Sequence, residues 1–374
     1  MRNQAREVAV LAPPAGKDLI AGMVKSCHGP TLSVERDSAN VRESVWQTVC
    51  LSSKNQDSCS EAVHKVRDDV YVSCPTFGAD TACVKAASKQ SITQIVAFGD
   101  SYSDNGNANQ VSNAVIAIGD SDAFEKPGEL YWSNRYSNGK TAVEVLAEIA
   151  GLPLQNFATG GATTGYANYT TWMDSFGSTG VLGQIDKYAA TLEGGQVTSN
   201  TLHFIFASAN DYFAFMDYEM QGDIVDVAAN AINNLEAAVR KLFALDAKKF
   251  FIVGSSDLTL VSYEIDANRL SEAEAFTTYV NRNLPIVLKS LEKELDIEIT
   301  YFDVTKVSDK IAANPIRFGI TQMTVAAQPT YPKILPVAPN VDEHYFFDEW
   351  HYSRIVHRIM GEAFYVAFAK NEVS

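Results

Sequence analysis

The stretch Gln94-Ile95-Val96-Ala97-Phe98-Gly99-Asp100-Ser101-Tyr102-Ser103-Asp104-Asn105-Gly106-Asn107 decides how this chain is read. Gln94–Phe98 is a short apolar run stopped by Gly99 and Asp100, the pattern of a buried strand. Such a strand delivers Ser101 at its carboxyl end, where open parallel sheets bind ligands. Gly, Asp, Ser and Asn are also ordinary turn formers, so the stretch alone does not separate a nucleophile from a loop. Gly119-Asp120-Ser121 repeats the tripeptide without the residues that follow it and reads as a surface loop.

On the C-terminal side, strands alternate with helices. Strands are expected at Leu202–Phe206, Lys249–Gly254 and Ile297–Val304. Helices are expected from a cap at Ser137 or Asn138 through Ala150, with Ala142, Val143, Val145, Leu146 and Ile149 on one face, and over Val181–Leu192, Ile224–Leu245, Glu272–Leu295 and Ile355–Ala369. That alternation implies βαβ units around a parallel sheet. Residues 314–347 break it with five of the twelve prolines, which marks a functional loop. Its Ile316, Phe318, Ile320, Met323, Val325, Tyr331, Ile334 and Leu335 are enough apolar material to line an acyl groove or to cover the core.

On the N-terminal side the pattern is lost. The length of 374 residues suits two domains, or one large α/β domain with an appendage. Residues 1–90 carry 11 Lys+Arg and 10 Asp+Glu, while the remaining 284 carry 19 and 35. All five cysteines, Cys27, Cys50, Cys59, Cys74 and Cys83, lie in this first part without a C-x-x-C pair or zinc spacing. We therefore expect an N-terminal extension over 1–90, held by two disulfides in an oxidising compartment, and a catalytic domain over 91–374. That compartment implies secretion, although Val8–Ala15 is too short and proline-broken for an evident signal. The net charge of −15 weighs against nucleic acid and anionic lipid surfaces. No apolar run approaches a membrane span.

Three further segments carry chemistry. His351 follows Asp348 by three residues in Phe347-Asp348-Glu349-Trp350-His351, a spacing that lets a turn bring carboxylate to imidazole; His344 is the competing base. Asn156-Phe157-Ala158-Thr159-Gly160-Gly161-Ala162-Thr163 offers backbone that a substrate can approach closely. Ser208-Ala209-Asn210-Asp211 follows an expected strand and ends in a donor amide.

In this order the four blocks resemble the GDSL or SGNH hydrolase family over about residues 92–370. Gly99–Asp104 is similar to its nucleophile block, Asn156–Gly161 to its glycine block, Ser208–Asp211 to its Gly-x-Asn-Asp block and Asp348–His351 to its Asp-x-x-His block. Three departures stand out: Tyr102 for Leu, Ser208 for Gly, and Tyr352 for the proline that often follows the histidine. Tyr131-Trp132-Ser133-Asn134-Arg135-Tyr136-Ser137-Asn138-Gly139 and Asn156–Thr163 further resemble the lipase-like branch with secreted phospholipases, thermolabile hemolysins and glycerophospholipid:cholesterol acyltransferases. The resemblance implies a flavodoxin-like three-layer α/β/α sandwich and an ester hydrolase without metal or organic cofactor. Ser101 is then the nucleophile, His351 the base and Asp348 its orienter. The Ser101 and Gly161 backbone N–H groups and the Asn210 amide form the oxyanion hole, with Asp100 and Asp104 in support. It points to an acyl-ester substrate, lipid first, with transient contact at a membrane surface. A carbohydrate or small-ester acetylesterase is the alternative, and an inactive binding protein a third. Asn168-Tyr169-Thr170 is a glycosylation sequon.

Overall fold

The computed structural model describes residues 92–192 and 196–373, and before them five short strands. The chain divides into two compact units, Met1–Lys89 and Gln90–Glu372. In the first, Gly22–Val24 (β1) and Leu32–Val34 (β2) form an antiparallel pair. His64–Arg67 (β3), Val70–Ser73 (β4) and Val84–Ala86 (β5) form a three-stranded antiparallel sheet. The five cysteines, and with them the expected disulfides, lie outside the described residues.

The second unit is built on Gln94–Gly99 (β6), Leu154–Asn156 (β7), Thr201–Phe206 (β8), Lys249–Val253 (β9) and Glu298–Phe302 (β10). All pairings are parallel, in the order β10-β9-β8-β6-β7. Counted from the first strand of the sheet, that is the flavodoxin-like order 2-1-3-4-5. Strand β8 is buried along its whole length and is apolar except at Thr201 and His203.

Alternate strand residues feed two helical layers. Phe98 of β6 and His203 of β8 face Tyr188 of Val181–Thr191 (α3). Beside α3 lie Ile224–Phe243 (α5) and Leu270–Leu295 (α7). The buried face of α5 is Ala228, Ala231, Ile232, Leu235, Ala238, Val239 and Leu242, a 3.6-residue stripe. On the opposite face Phe204, Phe251 and Phe302 pack against Phe364 of Arg354–Val373 (α9). Burying each such ring contributes roughly 1.5–3 kcal/mol. Gly361 of α9 lets Ala142–Ala150 (α2) approach, since a Cβ there would lie 2.5 Å from the Val145 Cβ. The second unit is therefore a three-layer α/β/α sandwich.

Local structure departs from the sequence expectation in identifiable places. Helix α2 begins at Ala142 rather than at Ser137 or Asn138. The Ser137 hydroxyl instead donates to the Tyr352 carbonyl, and Asn138 Oδ1 accepts from the Arg354 N–H. Ile149 is half-exposed, and Ala147 takes its place on the buried face. Five elements were not expected: Asn107–Ala117 (α1), β7, Ala209–Asp217 (α4), Ser262–Asp266 (α6) and Thr305–Ala313 (α8). Helix α1 is rich in Asn and Ser and buries only Ala108, Ser112 and Val115, so propensity does not announce it. The start of α1 is fixed by the Asp104 carboxylate, which accepts from the N–H groups of Gly106, Asn107 and Ala108.

Candidate active site

Ser101 lies just past the end of β6, and Asn210 opens α4 just past β8. These two strands are parallel neighbours from which the chain winds to opposite sides, β6 to β7 on one side and β8 to β9 on the other, so the site sits at the switch point of the sheet. Gly99 is required there: a Cβ would come within 2.2 Å of the Phe206 carbonyl oxygen on β8. The Gln184 side chain brackets Gly99, accepting from its N–H and donating to its carbonyl.

Three side chains form a continuous relay. Ser101 Oγ lies 2.9 Å from His351 Nε2, and His351 Nδ1 lies 2.7 Å from Asp348 Oδ2. Burial pushes the Asp348 carboxyl up, but His351, Tyr131 and backbone N–H donors together hold it below its ordinary value. An ionised carboxylate only accepts, so Nδ1 carries the hydrogen and Nε2 is free to accept the serine proton. Asp348 Oδ1 also accepts from the N–H groups of Trp350 (2.8 Å) and His351 (2.7 Å), so the Asp-x-x-His spacing works as a turn that presets the pair. The Tyr136 ring lies 5.0 Å from the imidazole, centroid to centroid.

The expected oxyanion donors meet in the same place. Ser101, Gly161 and Asn210 line one cavity of about 360 Å³ together with His351. Among the described residues neither the Ser101 nor the Gly161 N–H donates to another group. Gly161 has φ +81°, and a Cβ there would lie 2.4 Å from Asn168 Oδ1, so glycine is dictated twice over. Asn210 Nδ2 donates to the Ala162 carbonyl at 3.1 Å, which fixes the amide beside Gly161 and leaves its second hydrogen. Ser208 is buried with φ 167°, extended backbone open to any residue, and does not displace Asn210.

The supporting acids hold the blocks together. Besides its three bonds to α1, Asp104 accepts from the Gly160 N–H at 2.7 Å; burial raises its carboxyl, and these four donors oppose that. Asp100 is buried with Oδ1 bonded to the Tyr102 N–H and Oδ2 unpartnered, and burial raises its pKa to about 7. Tyr102 stacks between Phe206 and Tyr352 and donates to the Trp350 carbonyl, so two of the sequence departures pack against each other.

Other candidates fall away. His344 Nδ1 bonds the Val325 carbonyl and lines no part of this cavity. Buried His357 accepts from the Ala142 N–H, and burial lowers its pKa to about 3. The buried Asn168 amide is committed to Gly160 and Thr179, so the folded chain does not present that sequon. The proline-rich tract does not form the groove: of its eight named apolar residues only Tyr331 lines the cavity. Ile320 is in the core, while Ile316, Val325, Ile334 and Leu335 are exposed. The wall is made instead by Phe124, Tyr169, Phe213, Tyr263 and Trp350, contributed by separate segments. Glu349 fastens the tract, accepting from the Thr330 and Tyr331 N–H groups and the Thr330 hydroxyl.

Sequence reasoning gave Tyr131 no role, yet its hydroxyl donates to Asp348 Oδ2 at 2.6 Å. Its position in the Tyr131–Gly139 stretch was the available signal. Tyr131→Phe leaves Oδ2 with the imidazole as its remaining partner. A hydrogen bond to a charged group contributes about 1.5–3 kcal/mol, so kcat should fall roughly 10-fold. An unchanged kcat would dismiss this role.

A relay of this kind at the switch point of a doubly wound sheet is the arrangement of a serine ester hydrolase. Residues 95–364 match the family described as GDSL-like Lipase/Acylhydrolase. The chain belongs to that family and is a carboxylic ester hydrolase. It is 24% identical to a GDSL esterase/lipase of Arabidopsis thaliana, over 72% of this chain and 81% of that protein. It is 23% identical to a GDSL lipase of Tanacetum cinerariifolium, over 79% and 89%. It is 24% identical to a phosphatidylcholine-sterol acyltransferase of Aeromonas hydrophila, over 63% and 65%. Among solved structures, Axe2, an acetylxylan esterase from Geobacillus stearothermophilus, aligns at 12% identity and TM-score 0.38, over 76% of this chain and 96% of that one.

Proposed function

We propose that the chain cleaves acyl esters of lipids through an acyl-enzyme on Ser101. The observation that carries this is the Ser101–His351–Asp348 relay opening into an aromatic cavity that also holds Gly161 and Asn210. Ser101 Oγ attacks the ester carbonyl while His351 Nε2 takes its proton. The Ser101 and Gly161 N–H groups and the Asn210 amide receive the oxyanion. His351 returns the proton to the leaving alcohol. Water, or a second alcohol, then releases the acyl group by the reverse sequence.

Two features support a lipid over a carbohydrate ester. The cavity wall is largely aromatic, and Phe124 and Tyr331, both 57% exposed, present apolar rings where the cavity meets solvent. Those rings suit transient contact with a lipid surface. The acyltransferase relative is named for a phospholipid substrate. The cysteine-bearing first unit supports export to an oxidising compartment.

The test is kcat/KM on 4-nitrophenyl esters of increasing acyl length, with an acetylated xylan oligomer alongside. Each methylene removed from water contributes about 0.8 kcal/mol, so octanoate should exceed acetate by at least ~100-fold. Preference for the acetyl ester and the xylan oligomer would replace the lipid reading with a carbohydrate esterase.

A further inference from the structure

Lys126 is the one lysine or arginine among the residues that line the catalytic cavity. Its Nζ donates to Thr170 Oγ1 at 2.9 Å and lies 5.0 Å from the centre of the Phe124 ring. Among the described residues no carboxylate pairs with it, although the chain carries 45 acidic residues against 30 basic ones. Elsewhere cations find partners readily: Arg135 with Glu144, Lys241 with Asp186, Arg269 with Asp217, Arg354 with Asp342. Burial brings the Lys126 ammonium down to about 8, with no acidic neighbour raising it again. Lys126 is half-buried at the cavity wall, where an ammonium without a counter-ion gains when a bound group supplies the opposite charge.

The carboxylates around the cavity are engaged elsewhere. Glu125 is exposed and accepts from Asn109 Nδ2. Asp217 is held by Arg269 and by the Tyr169 and Tyr263 hydroxyls. Asp348 is held by His351 and Tyr131. Burial keeps the Tyr131, Tyr136 and Tyr169 hydroxyls neutral well above their ordinary value. Lys126 thus has two ammonium hydrogens to offer, and the Thr170 hydroxyl, which accepts the third, has its own hydrogen to add.

We propose that Lys126 and Thr170 form a subsite for an oxyanion carried by the substrate beside its scissile ester, a phosphodiester or a carboxylate. The proposal rests on the ester-hydrolase reading of Ser101 and narrows its substrate class to acyl esters that bear a negative charge within the length of the cavity. The ammonium recovers a counter-ion on binding, and the Phe124 ring shields the pair from water.

The experiment uses three esters with the same acyl chains: 1,2-dihexanoylglycerol, its 3-phosphocholine and its 3-hemisuccinate. The readout is the ratio of kcat/KM for each charged ester to that for the neutral one. Every step at Ser101 and His351 is common to all three and cancels in the ratio. In Lys126→Met the ratio should fall about 10-fold or more, through KM; Lys126→Arg should retain most of it. A fall for the phosphocholine alone identifies a phosphodiester site, and a fall for both charged esters an oxyanion site of either kind. In the wild type the ratio should be high at pH 7 and decline as pH rises through 8 to 10, because Lys126 loses its charge there. That decline needs no variant and decides the matter should Lys126→Met not fold. A ratio unchanged by Lys126→Met, or a flat wild-type ratio where the variant fails to fold, overturns the subsite while ester hydrolysis stands. Absence of turnover on all three, or turnover that survives Ser101→Ala, overturns the ester-hydrolase reading and the subsite with it.

Discussion

Ser101→Ala should lower kcat on every ester by roughly 10⁵–10⁶-fold, to the level that binding and the oxyanion donors supply without a nucleophile. The substitution removes one oxygen from a buried turn and leaves the rest of the relay in place. Thermal stability should change by less than ~1 kcal/mol, because the lost Ser101–His351 bond is a single side-chain contact. Substrate binding should persist, and a fluorophosphonate that labels the wild type should leave the variant unmodified. Mass spectrometry of the labelled protein checks the site directly. Labelling that persists at another serine, with activity intact, would place the nucleophile elsewhere.

Asp348→Asn should cost about 10⁴-fold in kcat with little change in KM. Asp348 faces only donors: the N–H groups of Trp350 and His351 on Oδ1, the Tyr131 hydroxyl on Oδ2, and His351 Nδ1 on both oxygens. The asparagine oxygen will keep the two backbone donors, which sets its amide nitrogen against His351 Nδ1 and the Tyr131 hydroxyl. The imidazole then carries its hydrogen on Nε2, pointing at a serine that must itself give up a proton. Asp348→Asn should therefore lose the rate while keeping the shape. A double variant Tyr131→Phe/Asp348→Asn should be far from additive, because both substitutions act on the same oxygen. A loss in Asp348→Asn below ~10-fold would show that the carboxylate does not set the tautomer.

The relay was legible because its residues sit at chemistry-bearing spacings within short blocks. Ser101 ends a strand whose apolar run is unmistakable, and Asp348 and His351 are three residues apart in one turn. The strand and helix alternation gave the α/β/α sandwich for the same reason, since buried strands and amphipathic helices each carry a period. What the sequence did not show has no period. Helix α1 owes its start to a carboxylate three residues upstream, and β7 is a three-residue edge strand. The cavity wall gathers Phe124, Tyr169, Phe213, Tyr263 and Trp350 from five segments, so no contiguous stretch announces it. The proline-rich tract drew attention by composition, but its apolar residues divide between core and solvent. Tyr131 and Lys126 act through partners more than 40 residues distant in the chain, beyond the reach of any local pattern.

The two middle positions of the Asp348–His351 block take no part in moving a proton. Glu349 holds Thr330 and Tyr331, and Trp350 walls the cavity and touches Tyr263 and Tyr331. One tetrapeptide thus serves two masters, with its ends devoted to reactivity and its middle to selectivity. Substitutions at Glu349 or Trp350 therefore act on which ester is held, through the Thr330–Tyr331 clasp and the cavity wall, and leave the Ser101–His351–Asp348 bonds intact.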